Sequence, residues 1–575
     1  GGSVWLTAQV VCGSGKLSAN GGFCSSANGY KYCGAGGRVA LDYDPAAQDE
    51  ADAVLGVPSL RLQAAAKWTF AKATSRPLAD VGSVYMTDDR FLGETFDGTR
   101  GVSDGQVFCG TWSRWQPKSL TVSDVWVRFP EGPATNLTLT GDVRVSGVNG
   151  RLEIGGDEAF PYCYSVNSQV EETERASRVR RMSATCPKLA CANLTLTDGG
   201  QFMIYPGLTN GVDQADGAEI VLSGDFTVGM NAFALLPCHP TNGAVVKVTA
   251  ENVTVGSGAW LSSAGQGFME YKLPGTNVST GGIAPGYPTY ARPDIYAASH
   301  GGAGSHVSKE LNSLPYDSLE EPRMPGSPGN RAYNKYGGCS GGGVVLIVAR
   351  SKVTVDGTVD VRGQSPNNAN VGPGSGGTVN IVCKTIAGTG TIDATGGRYD
   401  VDNRYFPTSV GAGGRIAVHY DRVAQAASED PVAISWKCNS QVCKETVDHC
   451  CRAEAGIGTV WFPDTQFLGD RFGVGSLTSG EYHFGSWTGW SPAGVVADGP
   501  DVNVRLVSGG HDFIINGNLT IRNSAALGFG GGTNCFTRPN AYPPFSPAGK
   551  GAVVKVGGGV IMEAPEKAGW KNELS

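Results

Sequence analysis

The sequence predicts an all-β chain wound as a parallel β-helix (a β-solenoid), with glycine-rich loops and small disulfide-stapled inserts. Three observations predict it. Short runs of Val, Ile and Thr alternate with tight turns and show no 3.6-residue periodicity. Glycine supplies 85 of the 575 residues, about twice its usual share of roughly 7%. A stretch of about 130 residues is written twice, as in repeat architectures.

The short runs are clearest in "VVLIVARSKVTVDGTVDVRGQ" (344–364), which divides into strands at 344–349, 352–355 and 358–361. The turns between them, "RSK" and "DG", are too short for anything but a bend. Val353, Val355, Val359 and Val361 can all face inward, because side chains alternate along a strand. A hairpin meander would use the same Asp-Gly turn. Recurrence of the pattern at 219–229, 245–265 and 378–397 favours a solenoid, in which each coil buries its inner face against its neighbours. Glycine at the bends permits close approach of stacked backbone. The longer Gly/Pro-rich stretches 266–343, 363–376, 397–410 and 535–550 read as loops leaving the coils.

The duplication is legible in "GAGGRVALDYD" (34–44) and "GAGGRIAVHYD" (411–421), separated by 411 − 34 = 377 residues. Residues 1–22 align with 376–397, "GSVYMTDDRFLG" (82–93) with "GTVWFPDTQFLG" (458–469), and "GTWSRW" (110–115) with "GSWTGW" (485–490). These offsets stay between 375 and 377. They predict two tandem units. Residues 1–375 begin mid-repeat and carry an extra insert within about 130–240. Residues 376–575 form a shorter copy with a Cys-rich knob at about 436–452. The segment reads as cut from a longer repeating polypeptide, with any signal peptide removed or outside it. Within the first copy, "AQDEADAVLG" (47–56) is expected to form a short helix.

Charged residues make up 17% and net charge is −7, which argues against nucleic acid as a partner. No apolar run approaches the roughly 20 residues of a membrane helix, so no membrane insertion is expected in this segment. Fifteen cysteines lie mostly in local groups: Cys12, Cys24 and Cys33; Cys186 and Cys191; Cys438, Cys443, Cys450 and Cys451. Such clusters favour disulfides and an oxidising, extracellular compartment. Five Asn-x-Ser/Thr sequons, at Asn136, Asn193, Asn252, Asn277 and Asn518, point the same way. In most of them Asn and Thr would share an outward strand face, where glycans attach; an outward Asn/Thr row without sugar would look the same.

The order "SHGGAG" (299–304), "PYDSLEEPRMPGS" (315–327), "GGGVVLIVARSKVTVDGTVDVRG" (341–363), "GSGGTVNIVCKTIAGTGTIDATGG" (374–397) and "GAGGRIAVHYD" resembles the glycine-rich β-helical repeats of large secreted surface proteins. Such repeats occur in bacterial adhesin-like proteins and in protists, where they are similar to those of tubular flagellar hairs, the mastigonemes. The resemblance implies an extracellular structural or adhesive part with no catalytic residues and no cofactor to carry over. The Cys-rich knob departs from it.

Several motifs invite a chemical reading. "GCSGG" (338–342) matches a nucleophile elbow around Ser340, which needs a following helix and a partnered histidine. His300 and His306 could bind a metal with Asp317 or Glu320, and His449 could join Cys438, Cys443, Cys450 and Cys451 around zinc, but neither set has a fixed ligand spacing. Asp88 and Asp89 form the one Asp-Asp pair a glycosidase could use; the second copy has Asp464 and Thr465. Trp112/Trp115 and Trp487/Trp490 could stack on sugars or fill a coil. "EETERASRVRRM" (171–182) reads as a docking helix or a solvated loop. The expected function is a structural glycoprotein subunit of an extracellular filament or coat, most sharply a flagellar hair. Its partners would be copies of itself or other filament subunits, and N-linked glycans. The alternatives are a surface adhesin that binds carbohydrate or a host partner, and a polysaccharide lyase or hydrolase.

Overall fold

The computed structural model describes residues 1–25, 31–66, 80–160, 180–208, 216–269, 284–286, 298–304, 314–330, 339–365, 372–397, 410–440, 455–487, 489–507, 509–530, 553–563 and 573–574. The chain is almost entirely β, in long parallel sheets. Successive passes lay three short strands each on the three of the pass before. Ala218–Leu222, Phe226–Val228 and Phe233–Leu235 pair with Val246–Ala250, Val253–Val255 and Trp260–Ser262. Those pair with Val344–Ala349, Lys352–Val355 and Thr358–Asp360, and these with Thr378–Val382, Thr385–Ala387 and Thr391–Asp393.

Alternation decides what faces in. Val246, Val248, Val253, Val255, Leu261, Val345, Ile347, Val353, Val355 and Val359 are all fully buried, in one continuous core reaching from Val11 to Leu527. Each such side chain is worth roughly 1.5–3 kcal/mol of burial, but only when a neighbouring pass covers it. The three strands read from 344–364 match the observed elements to within a residue. The long interval between Ser262 and Val344 is an excursion, because Val344–Ala349 lands directly on Val246–Ala250. No helix among the described residues is long and apolar enough to cross a membrane.

The two copies pair in the same order. Ser3–Ala8, Arg38–Tyr43, Ser83–Asp88, Gly101–Thr111 and Trp126–Phe129 are consecutive parallel neighbours. Thr378–Val382, Arg415–His419, Thr459–Phe462, Leu477–Phe484 and Asn503–Leu506 repeat that series. The ladder runs unbroken across residue 376, since Val344–Ala349 pairs with Thr378–Val382. Each copy also merges two sheets in one long strand. The first part of Gly101–Thr111 pairs with Arg61–Gln63 and the rest with Ser83–Asp88, with a register shift at Leu62/Gln63. Leu477–Phe484 does the same with Ser435–Lys437 and Thr459–Phe462. The bend falls at Gly105 and Gly480, whose φ values of 151° and 132° suit glycine.

Two expectations need correction. No disulfide joins the described residues: Cys12, Cys186, Cys191 and Cys438 are free thiols. The knob at 436–452 begins too early, because Trp436 and Cys438 are inward core residues beside Ile434, on and just beyond the strand Ser435–Lys437. Strand alternation, invisible within a Cys-rich run, put them there. Cys443, Cys450 and Cys451 fall outside the described residues, as do the side chains of Cys24 and Cys33. The helix expected in the first copy forms at Pro45–Leu55.

A side chain at Gly414 would collide with the Gly377 carbonyl and the Gly376 backbone, whereas Gly469 has open space around it. Gly414→Ala is expected to lower the melting temperature sharply, by the equivalent of more than about 3 kcal/mol, and Gly469→Ala to stay within about 0.5 kcal/mol of wild type. Thermal unfolding followed by circular dichroism checks the pair.

Candidate functional site

The duplicated eleven residues build a structural joint. Tyr43 ends the strand Arg38–Tyr43, Tyr420 directly follows the equivalent strand Arg415–His419, and both are buried. Their hydroxyls donate to Asp88 Oδ1 (2.5 Å) and Asp464 Oδ1 (2.6 Å). Burial first, then the carboxylate at the hydroxyl, pushes both phenols well above their ordinary range. Asp44 and Asp421 then cap short helices, each accepting from two backbone N–H groups, as N-cap residues do. The helices deliver Gln48 and Gln425 to the backbone of Val11 and Ile386. Gln48 accepts from Val11 N and donates to Val11 O; Gln425 does the same with Ile386. The two glutamines sit 377 residues apart, a match the sequence reading missed just past the repeated stretch.

The residues singled out for chemistry are held in this framework. Asp88 binds Arg90 as well as Tyr43, and Arg90 also reaches Asp49 and Asp52. Burial works against the Asp88 charge, but Arg90 and the Tyr43 hydroxyl keep its carboxyl below the usual range. Asp89 accepts from the backbone N–H groups of Ser113, Arg114 and Trp115. Trp115 Nε1 donates to Gly93 O at 2.9 Å and Trp490 Nε1 to Gly469 O at 3.1 Å. Their rings pack on Phe129 and Phe513, so these tryptophans fill a corner of the stack. Ser340 is buried and leads into the strand Val344–Ala349, which removes the helix an elbow requires. Residues 171–179 are outside the described set; Arg180–Met182 forms a short antiparallel strand against Glu158–Phe160.

A further set of polar side chains lies on the outer face of the second copy, beneath residues 314–330. That segment crosses the strands Thr378–Val382 and Arg415–His419. Thr378 Oγ1 donates to Met324 O, Asn380 Nδ2 to Pro322 O and Arg415 Nε to Tyr316 O. His419 Nε2 meets Glu320 O at 2.7 Å and its ring stacks on Trp461. His300 is fully buried, with Nδ1 2.8 Å from Gly376 O and Nε2 3.8 Å from Asp317 Oδ2. Its ring tilts against Tyr316 at 4.7 Å. His306 and His449 lie outside the described residues. Among the described residues no group of three potential ligands could hold a metal ion.

A second buried charge cluster had no sequence signal. Arg128 binds Asp80 and Glu153, Arg151 also meets Glu153, and Arg181 returns from the insert to Asp80. Arg151 lies 4.0 Å over the Trp126 ring. Burial raises the cost of the Asp80 charge, but Arg128 and Arg181 hold its pKa down to about 2. Removing one partner would strand a buried charge, so the cluster locks the return of the insert to the stack.

The sequons separate into two kinds. Asn136 and Asn518 are exposed, although Asn518 Oδ1 accepts from Gly559 N. Asn193 and Asn252 are half-buried at stacked turns, where their Nδ2 groups donate to Asp142 and Asp225. Their Oδ1 atoms accept from Asp225 N and Lys352 N in the following passes. Thr195, Thr227, Thr254 and Thr354 stack in register beside them. This pair of sequons follows from the repeat of the turn. Asn277 is outside the described residues. No protein-family model matches the chain, and no curated protein or solved structure does either.

Cys12 and Cys186 are exposed, while Cys191, Cys339 and Cys438 are buried. Burial also pushes the Cys438 thiol far above its usual range. Iodoacetamide labelling of the folded protein, read by peptide mass spectrometry, is expected to modify Cys12 and Cys186 and to reach the other three only after denaturation.

Proposed function

We propose that the chain is a parallel β-helix serving as a structural glycoprotein subunit of an extracellular filament or coat, most sharply a flagellar hair. One observation carries this reading: what the two copies share at the level of atoms is a joint. Tyr–Asp, Gln–backbone, Asp–helix and Trp–carbonyl contacts recur in both. Repeating a joint extends a rod, whereas repeating an active site would have kept reactive groups accessible. The candidate carboxylates and tryptophans are instead held by neighbours within the chain. The partners this implies are further copies or related subunits, since heterologous contacts between like units generate open filaments.

The glycoprotein part rests on Asn136 and Asn518, whose exposed side chains suit glycan attachment. The free thiols lend it no support. Glycopeptide mapping of the chain secreted from eukaryotic cells is expected to find sugar at Asn136 and Asn518, with Asn193 and Asn252 bare. Sugar on Asn193 would contradict the engagement of its Nδ2 by Asp142.

Electron microscopy of the concentrated chain tests the assembly. Rods that join end to end or side by side are expected. Single rods that bind glycans at one tip would favour an adhesin instead. Release of unsaturated or reducing ends from a panel of acidic polysaccharides would replace the structural reading with an enzymatic one.

A further inference from the structure

We propose that residues 314–325 form an acid-releasable strap, latched over the outer face of the sheet where neutral His300 is buried against Tyr316 and Asp317. The proposal is independent of the filament reading. The strap has no strand pairing of its own. Residues 316–324 are held by outward side chains, from Thr378, Asn380, Arg415 and His419, that meet their main-chain carbonyls, whereas residues 326–330 are anchored by backbone bonds to Phe268, Gly342, Ser375, Cys339 and Gly372. Under the strap, Thr378, Asn380 and Arg415 are buried although they point away from the core.

His300 sits where strap and stack meet. Its backbone carbonyl accepts from Tyr316 N, and Tyr316 OH in turn donates to Pro325 O. Nδ1 faces the Gly376 carbonyl, so Nδ1 carries the proton and Nε2 presents a lone pair in the neutral ring. That Nε2 is buried and has no hydrogen-bond partner. Asp317 Oδ2 is 3.8 Å away, too far for a hydrogen bond. The carboxylate is already committed: Oδ2 accepts from Arg323 N and Met324 N, and Oδ1 from Ser318 N. Asp317 also holds a positive φ of 72°, a conformation uncommon for a non-glycine residue. The groups that face the ring are Tyr316 and Asp317 from the strap and the Arg415 cation from the sheet; the Gly376 side offers backbone alone.

An imidazolium formed here would be desolvated, beside a cation and a carboxylate whose nearer oxygen is occupied. Burial, the leading cause, holds the His300 pKa below its ordinary value of 6.5. The sign follows. With the strap latched, His300 resists protonation; with the strap released, it protonates near 6.5. The latch is therefore at full strength above pH 6.5 and weakens as pH falls from there toward the latched-state value, by up to about tenfold per pH unit. Asp317 titrates lower still, because its carboxyl is held below its usual value despite burial, by His300 and the backbone N–H groups. The window between pH 5.0 and 6.5 thus lies above the titration of Asp317.

Hydrogen exchange of the whole chain, corrected for the intrinsic pH dependence of exchange, tests this. Between pH 7.0 and 5.0, amides of residues 316–324 are expected to lose protection about tenfold or more, reversibly, while those of 344–349 and 378–382 keep theirs. His300→Gln, which can still donate to Gly376 O, is expected to abolish the pH dependence whatever its effect on absolute protection. C2-proton exchange of His300 in the wild type gives its pKa without any substitution. Unchanged or increased protection of the strap at pH 5.0, the same pH dependence in H300Q, or a His300 pKa at or above 6.5 would each overturn the proposal.

Discussion

Parallel strands stacked at about 4.8 Å leave no room for a side chain where one turn of backbone rests on the next. Much of this chain's composition follows from that spacing. At Gly37, Gly82, Gly377 and Gly414 an added Cβ would strike a carbonyl of the adjoining pass. These positions lie at the entry to the strands Arg38–Tyr43, Ser83–Asp88, Thr378–Val382 and Arg415–His419, where backbone hydrogen bonds carry the ladder from one pass to the next. Valine and isoleucine inside the stack contribute burial only if that contact is kept. The glycines are therefore the condition under which the apolar residues stabilise anything.

The same constraint explains what duplication preserved and what it released. Inward residues and corner glycines face another pass on both sides, and they recur. Outward residues face solvent or an excursion, and they drift. Gln106 and Phe108 in the first copy correspond to Glu481 and His483 in the second, on strands that pair alike. The tyrosine–aspartate contact behaves as an inward feature and stays. The excursion between Ile154 and Lys188 is tied back through Arg181 and Asp80, and residues 314–330 are tied through Tyr316 and Asp317. The two excursions thus solve the same problem, attachment to a finished sheet face, with different charges.

Much of the local structure was legible. "VTVDGTVDV" announced two strands and a bend because valine at every second position fixes one face, and the Asp-Gly step fixes the turn. The offset of 375 to 377 residues announced equivalent passes. Trp436 and Cys438 were misread because "KCNSQVCKETVDHCC" looks like one unit by composition. The strand ladder divides it, taking Cys438 into the core. Asn193 and Asn252 were readable as outward residues. That their amides are engaged by Asp142 and Asp225 was not, since those aspartates come from other passes. Arg151 and Glu153 share one strand, but their contact with Arg128 left no pattern, because it forms only through pairing of separate strands.

By itself, the sequence determined which side chains face inward, where the chain must bend and that one unit is written twice. These depend on a period of two and on glycine at fixed places, both local properties. Only the tertiary structure decided which residues meet across passes: His300 with Asp317 and Gly376, Gln425 with Ile386, Arg128 with Asp80. Parallel stacking joins segments separated by loops of unequal length, here from a few residues to the excursion between Ser262 and Val344. Strand periodicity fixes a side chain's face, but the length of each excursion fixes its neighbour, and no local pattern encodes that length.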